Sequence, residues 1–215
     1  MNHRIDQLLR NNQAFVETQL RLDPGYFTQL AMGQHPEFLW IGCSDSRVPP
    51  NHITGTDPGD MFVHRNIANL VVQTDMNMLS VLQYAVEVLH VRHIIVCGHH
   101  GCGGVKAAMG EHSHGLIDNW LRTVKDTQQF YWRELSALDE DARFDRMVEL
   151  NVIEQVNSLG KTSIVQNAWN SGAALALHGW VFDLHSGRIL PQTGSIESSA
   201  AMQEICKFAN GLVGH

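Results

Sequence analysis

Two short stretches hold residues that do chemistry. CSDSR at 43–47 sets a thiol, a carboxylate and a guanidinium at alternate positions: Cys43, Asp45 and Arg47. CGHHGCGG at 97–104 offers His99 and Cys102 among glycines. Two thiolates, an imidazole and a carboxylate suit Zn2+ in tetrahedral geometry. The pattern C-x-D followed by H-x-x-C is not a zinc-finger spacing. It reads as two ligand pairs on two loops: Cys43 with Asp45, and His99 with Cys102.

Four protein ligands close a zinc site, and closed sites are usually structural, whereas catalysis needs an open position. Arg47 offers a way out. In an extended loop it points the same way as Asp45, two residues before it. A bidentate Arg–carboxylate pair is strong and planar. With Asp45 held by Arg47, the fourth position opens to water, whose pKa an open zinc lowers to about 7. The resulting hydroxide is a nucleophile at neutral pH, and Asp45 would orient it. GCGG at 101–104 adds backbone N–H donors at a helix start, which favour an anion, although the same glycines also serve simple turn chemistry.

The elements around these stretches must bring them together. EFLWIG (37–42), MFVHRN (61–66) and HIIVCG (93–98) read as short strands, and both chemical stretches follow strands. Residues 4–32 read as helical, broken at DPG (23–25). RVPPNHITGTDPGD is a loop with room for one helical turn. Thr74 is placed to cap a helix to His90. Further helices are expected over 102–109, 116–134, 142–159, 162–170 and 196–212, and a strand pair over 175–184 and 187–190. The alternation predicts one α/β domain: a mainly parallel central sheet flanked by helices, with an extended N-terminal helical arm. The parts are an arm (1–35), a zinc-binding core (36–190) and a C-terminal helix (191–215). In such sheets, ligand sites form beyond the carboxyl ends of the strands, where the strand order reverses.

Bulk properties narrow the class. The chain has 215 residues, 44% of them hydrophobic, enough for a sizeable core. A net charge of −7 and a pI of about 6.0 show no basic excess, so no nucleic-acid partner is expected. No run approaches a membrane span and the N-terminus has no signal core, so the expectation is a cytoplasmic protein. Cys97, inside a strand, reads as a buried apolar residue, and Cys206 as equally inert. His64, His90, His93, His112, His114 and His215 receive no role, and most are expected at the surface.

FLWIGCSDSRVPP, FVHRNIANLV, LSVLQYAVEVL and HIIVCGHHGCGGV, with GLIDNWL (115–121), ELNVIEQV (149–156) and HGWVFD (178–183), resemble the bacterial β-class carbonic anhydrases. The similarity runs from about residue 4 to about residue 190. It implies reversible hydration of CO2 to bicarbonate and a proton. It implies one zinc per chain on Cys43, His99 and Cys102, with Asp45 as an exchangeable fourth ligand and Arg47 as its partner. It also implies a homodimer or dimer of dimers, with N-terminal helices embracing the neighbour. Gln34 and Tyr84 resemble pocket residues contributed across that interface, and the Gly103 N–H would face substrate or bicarbonate.

Some members carry a second, non-catalytic bicarbonate pocket made by a Trp, an Arg and a Tyr. Trp40 and Arg65 match two of these, but Phe182 stands at the third and has no hydroxyl. A hydrogen bond to a charged group contributes roughly 1.5–3 kcal/mol, so its loss argues against bicarbonate regulation. His100 stands where the family pattern has Tyr; it is either a proton relay or a tolerated neighbour of the ligand, and the second reading is preferred. Two alternatives keep the zinc. One is hydrolysis of CS2 or COS on the same fold. The other is a closed structural site, which would have no need of Arg47.

Overall fold

The computed structural model describes residues 3–202. The chain divides into two compact units between His35 and Pro36. The first is a helical hairpin, α1 (His3–Leu22) and α2 (Tyr26–Ala31). The DPG breaker ends α1, and the Asp23 carboxylate accepts the Gly25 N–H at 2.7 Å. Phe15 meets the Phe27 ring edge-on at 6.1 Å. No residue of α1 is buried, and Ile5, Leu8 and Leu9 are each more than half exposed.

The second unit is built on five strands. In chain order its elements are β1 (Phe38–Cys43), α3 (Pro50–Thr54), β2 (Met61–Asn66), a 3-10 turn at Ile67–Asn69, and α4 (Met76–Gln83). Then come β3 (His93–His99), α5 (Gly103–Met109), α6 (Ile117–Trp120), α7 (Arg122–Phe130), α8 (Trp132–Leu135) and α9 (Glu140–Gly160). Last are α10 (Ser163–Asn170), β4 (Ala176–Asp183) and β5 (Arg188–Pro191). The sheet order is β2-β1-β3-β4-β5. All neighbours are parallel except β4 and β5, which form an antiparallel pair around the expected HSG turn.

The central strands are apolar on both faces, as strands covered on both sides must be. Leu39, Ile41, Ile94, Val96 and Leu177 pack with residues of α4, α9 and α10. On alternate positions Trp40, Ile95, Cys97 and Phe182 form a separate cluster with Val48. Cys97 is wholly buried, as expected for an apolar thiol. Val152 and Val156 of α9 lie against β3 and β4 where these carry glycine. A Cβ on Gly98 would stand 2.7 Å from Val152 Cγ2, and one on Gly179 3.1 Å from Val156 Cγ2.

Several sequence expectations need correction. The cap of α4 is Asp75, not Thr74: its carboxylate accepts the Asn77 N–H at 3.0 Å. The segment does run on toward His90, but as a π-helical turn at Tyr84–Val88, and His90 then takes φ 55°. The single helix expected over 116–134 is three short ones. It breaks beside Trp120, whose indole N–H donates to the Ile67 carbonyl at 2.8 Å, and at Tyr131, whose hydroxyl donates to Glu154 at 2.7 Å. His64 is buried on β2 rather than exposed, with Nε2 3.2 Å from the Asn66 amide. His93 is half-buried, 3.1 Å from His178. Of the helix expected over 196–212, residues 199–202 are helical and 196–198 are not, Ile196 bridging instead to Leu177; 203–212, with Cys206 and His215, lie outside the described residues.

Two outcomes follow. Gly98→Ala forces α9 off β3 and lowers the melting temperature, at a cost of roughly 1–3 kcal/mol by analogy with other overpacked cores. Burial lowers the His64 pKa, opposed only by Asp75. The unfolded chain therefore binds more protons, so the contribution of His64 is full above about pH 6.5 and is lost as the pH falls. His64→Gln is expected to melt with a shallower pH dependence than the parent between about pH 7.5 and 5, as scanning calorimetry would read.

Candidate metal centre

The two chemical stretches meet because β1 and β3 are neighbours in parallel register, with Gly42 opposite Cys97. The chain crosses from β1 to β2 on one side and to β3 on the other, so the strand order reverses between β1 and β3. Cys43 is the last residue of β1 and His99 the last of β3. Gly101 turns the chain at φ 70°, and Cys102 becomes the residue preceding α5. A site at the carboxyl ends of strands flanking this reversal is where the fold places ligands.

Cys43, His99 and Cys102 are all buried, and their ligating atoms lie within 4.8 Å of one another. The two Sγ atoms are 3.9 Å apart. Two Zn–S bonds of about 2.3 Å at a tetrahedral angle would set them about 3.8 Å apart. The His100 carbonyl lies 3.0 Å from His99 Nδ1 and so accepts its proton, which leaves Nε2 as the lone-pair nitrogen. That Nε2 is buried and has no hydrogen-bond partner. A soft dication answers each of these features, so the residues fit zinc. The Cys102 thiol, hydrogen-bonded to Cys43, pulls the Cys43 pKa down to about 4 against the effect of burial. The same bond, together with burial, drives Cys102 up. Metal binding would therefore release the proton that Cys102 keeps.

Asp45, expected from the sequence as an exchangeable fourth ligand, stands outside the Cys43–His99–Cys102 group and is bonded to its expected partner. Arg47 Nε donates to its Oδ1 at 2.9 Å, Nη2 to its Oδ2 at 2.7 Å, and the Arg47 backbone N–H to Oδ1 at 2.9 Å. These bonds hold the Asp45 pKa far below the usual carboxylate range. Asp45 Oδ2 nevertheless stays 3.6 Å from His99 Nε2. The Arg–carboxylate pair is thus formed, with both Asp45 oxygens bonded to Arg47.

Sequence reasoning missed how the loops are braced. Arg65 donates to the carbonyls of Cys43, at 2.8 Å, and of Asp45. The Asn66 side chain bonds both the N–H and the carbonyl of Leu70. Between them Ala68 (φ 63°) and Asn69 (φ 50°) are left-handed. Asn151 of α9 donates to the Ala68 carbonyl at 3.0 Å. Asparagine is enriched in left-handed backbone, but nothing in an alanine announces it.

The cleft beside Cys43 has a volume of about 360 Å3. Ile67, Ala107 and Ile117 give it apolar walls, and Asp45, Gly103 and His114 its polar edge. Gly103 lines this cleft, and a Cβ there would meet nothing within 4 Å. Tyr84 is about half exposed, packs its ring against Phe62, and is not part of this lining. Gln34 is exposed in the N-terminal unit. Trp40 is fully buried, and its indole N–H has no partner. The Arg65 guanidinium is engaged by the two carbonyls, and the Phe182 ring packs with Trp40 and Val48. His100 is partly buried between Glu149 and Asp183, at 3.9 and 3.8 Å. No helix among the described residues is long and apolar enough to cross a membrane.

Residues 38–189 match the carbonic anhydrase family. A carbonic anhydrase of Emericella nidulans is 48% identical over 206 residues, covering 95% of this chain and 90% of that protein. A tetrameric β-carbonic anhydrase from the filamentous ascomycete Sordaria macrospora superposes with a TM-score of 0.87 at 40% identity, covering 91% of this chain and all of that one. A Coccomyxa β-carbonic anhydrase in complex with acetazolamide gives 0.88 at 35% identity, covering 96% and 98%. The qualifier "bacterial" in the sequence resemblance is not supported, since the relatives at 48% and 40% are fungal. The ligand triad at the strand reversal and these matches have one account: the chain belongs to the β-class carbonic anhydrases.

Proposed function

We propose that this enzyme hydrates CO2 reversibly at a zinc ion held by Cys43, His99 and Cys102, one per chain, with Arg47 keeping Asp45 off the metal. The observation that carries the reading is the three-bond grip of Arg47 on Asp45 beside an unpartnered His99 Nε2. When bound, zinc supplies a nucleophile at neutral pH by lowering the pKa of coordinated water. The protein's own groups do the rest. The apolar walls of Ile67, Ala107 and Ile117 receive CO2, which has no charge to solvate. Asp45, acceptor-only when ionised, takes a hydrogen bond from the attacking water and aims its lone pair at the CO2 carbon. The Gly103 N–H faces the oxygen that gains charge as bicarbonate forms. Water and CO2 thus give bicarbonate and one proton.

The alternatives draw less support. A closed structural zinc would need Asp45 on the metal, and its oxygens are bonded to Arg47. Hydrolysis of CS2 or COS has no feature of its own in the cleft. Regulation by bicarbonate at Trp40 and Arg65 is disfavoured, because Arg65 already serves two carbonyls and Phe182 offers no hydroxyl. We also infer self-association, as a dimer or dimer of dimers. The Sordaria relative is tetrameric, and Ile5, Leu8 and Leu9 of α1 are exposed. Gln34 and Tyr84 then serve the cleft of a second copy.

Purified protein is expected to hold zinc at one equivalent per chain by mass spectrometry, and Cys102→Ala to lose it. Stopped-flow measurement is expected to give rapid CO2 hydration at neutral pH, following one ionisation. Arg47→Ala should lower kcat/KM roughly 10–100-fold, on the scale of losing an outer-shell partner at a metal site, while retaining zinc. A variant as active as the parent would reject the gate, and a parent inactive at every pH would reject hydration.

A further inference from the structure

Hydration leaves one product unplaced: each turnover releases a proton that must leave the cleft. Asp45 does not carry it, since its bonds from Arg47 hold the carboxylate ionised, with a pKa well below the usual carboxylate range. Cys43 is committed as a ligand. Of the described residues that line the cleft, His114 is the remaining side chain of a type that changes charge near neutral pH.

Its place is built rather than incidental. Both Asp118 oxygens accept the His114 backbone N–H, each at 3.0 Å. The Ser113 hydroxyl donates to the same carboxylate at 2.6 Å, and Gly115 turns the chain at φ 80°. Farther along, the Trp120 indole ties the segment to the carbonyl of Ile67, which is itself a cleft wall. His114 thus lines the cleft on one side and is exposed to solvent on the other. The charged groups nearby are Asp118 and, around the adjoining hollow, Glu111, Arg122 and Lys125, with His112 as a further titratable neighbour.

We propose that His114 is the proton-transfer residue of the cleft. Its imidazole nitrogen takes up, through water, the proton released as water and CO2 become bicarbonate, and passes it to buffer. In dehydration the proton runs inward by the same route. The inference rests on the hydration reading above.

The test uses the zinc-loaded full-length protein and two variants, His114→Ala and His114→Gln. In dilute buffer kcat for hydration is expected to fall about 100-fold, at the low end of acid–base effects, with kcat/KM unchanged. Added imidazole should restore kcat. A readout independent of turnover is the nitrogen-15 signal of the His114 ring, identified by its absence in His114→Gln. It is expected to move as bicarbonate is titrated into the parent protein. Unchanged kcat in dilute buffer for both variants, or a ring signal indifferent to bicarbonate, overturns the proposal while leaving hydration intact. A parent protein that hydrates no CO2 fails the hydration reading itself, and this inference with it.

Discussion

Everything at the metal centre depends on the parallel pairing of β1 with β3. Cys43 and Cys102 are 59 residues apart in sequence, yet their sulfurs stand 3.9 Å apart. No local turn could arrange that. Backbone hydrogen bonds between the two strands fix the register, and a slip of one residue would turn Cys43 and His99 to the wrong faces. The pairing is held from behind by α9, whose valines fit against strand positions with no Cβ. The packing of this helix thus reaches Gly98, the residue beside His99, and its Val152 shares one apolar cluster with Cys43 and Cys102.

Two arginines divide the work at the front. Arg47 acts on a side chain and Arg65 on backbone carbonyls. The first decides where the Asp45 carboxylate points; the second holds the loop that carries it. The planar, multi-donor guanidinium suits both tasks, and a lysine would serve neither as well. This division also explains why Arg65 is a poor candidate for holding a free anion. Its donors answer carbonyl oxygens that would otherwise be left unpaired.

The chemistry was legible in the sequence because it is carried by residue type and close spacing. Cys43, Asp45, Arg47, His99 and Cys102 announce themselves, and the apolar runs before them mark the strands within a residue. What sequence did not reveal was set by distant partners. Asp75 caps α4 rather than Thr74 because the backbone turns one residue later. The 116–134 segment breaks where Trp120 and Tyr131 are tied to other elements. Ala68 is left-handed because Asn66 and Asn151 hold the backbone on either side of it and at its carbonyl. Asp45 was readable both as an exchangeable ligand and as the partner of Arg47, and the structure shows the second contact.

The bond from His99 to the His100 carbonyl has a consequence for how this sequence can drift. The group that orients the ligand belongs to the backbone, so any residue at position 100 supplies it. The histidine at position 100 therefore leaves the imidazole tautomer one residue before undisturbed. Position 100 is free to follow the demands of Glu149 and Asp183 around its ring, while position 99 is tied to the Cys43–His99–Cys102 cluster. Adjacent residues on one strand end thus evolve under separate constraints, one chemical and one local.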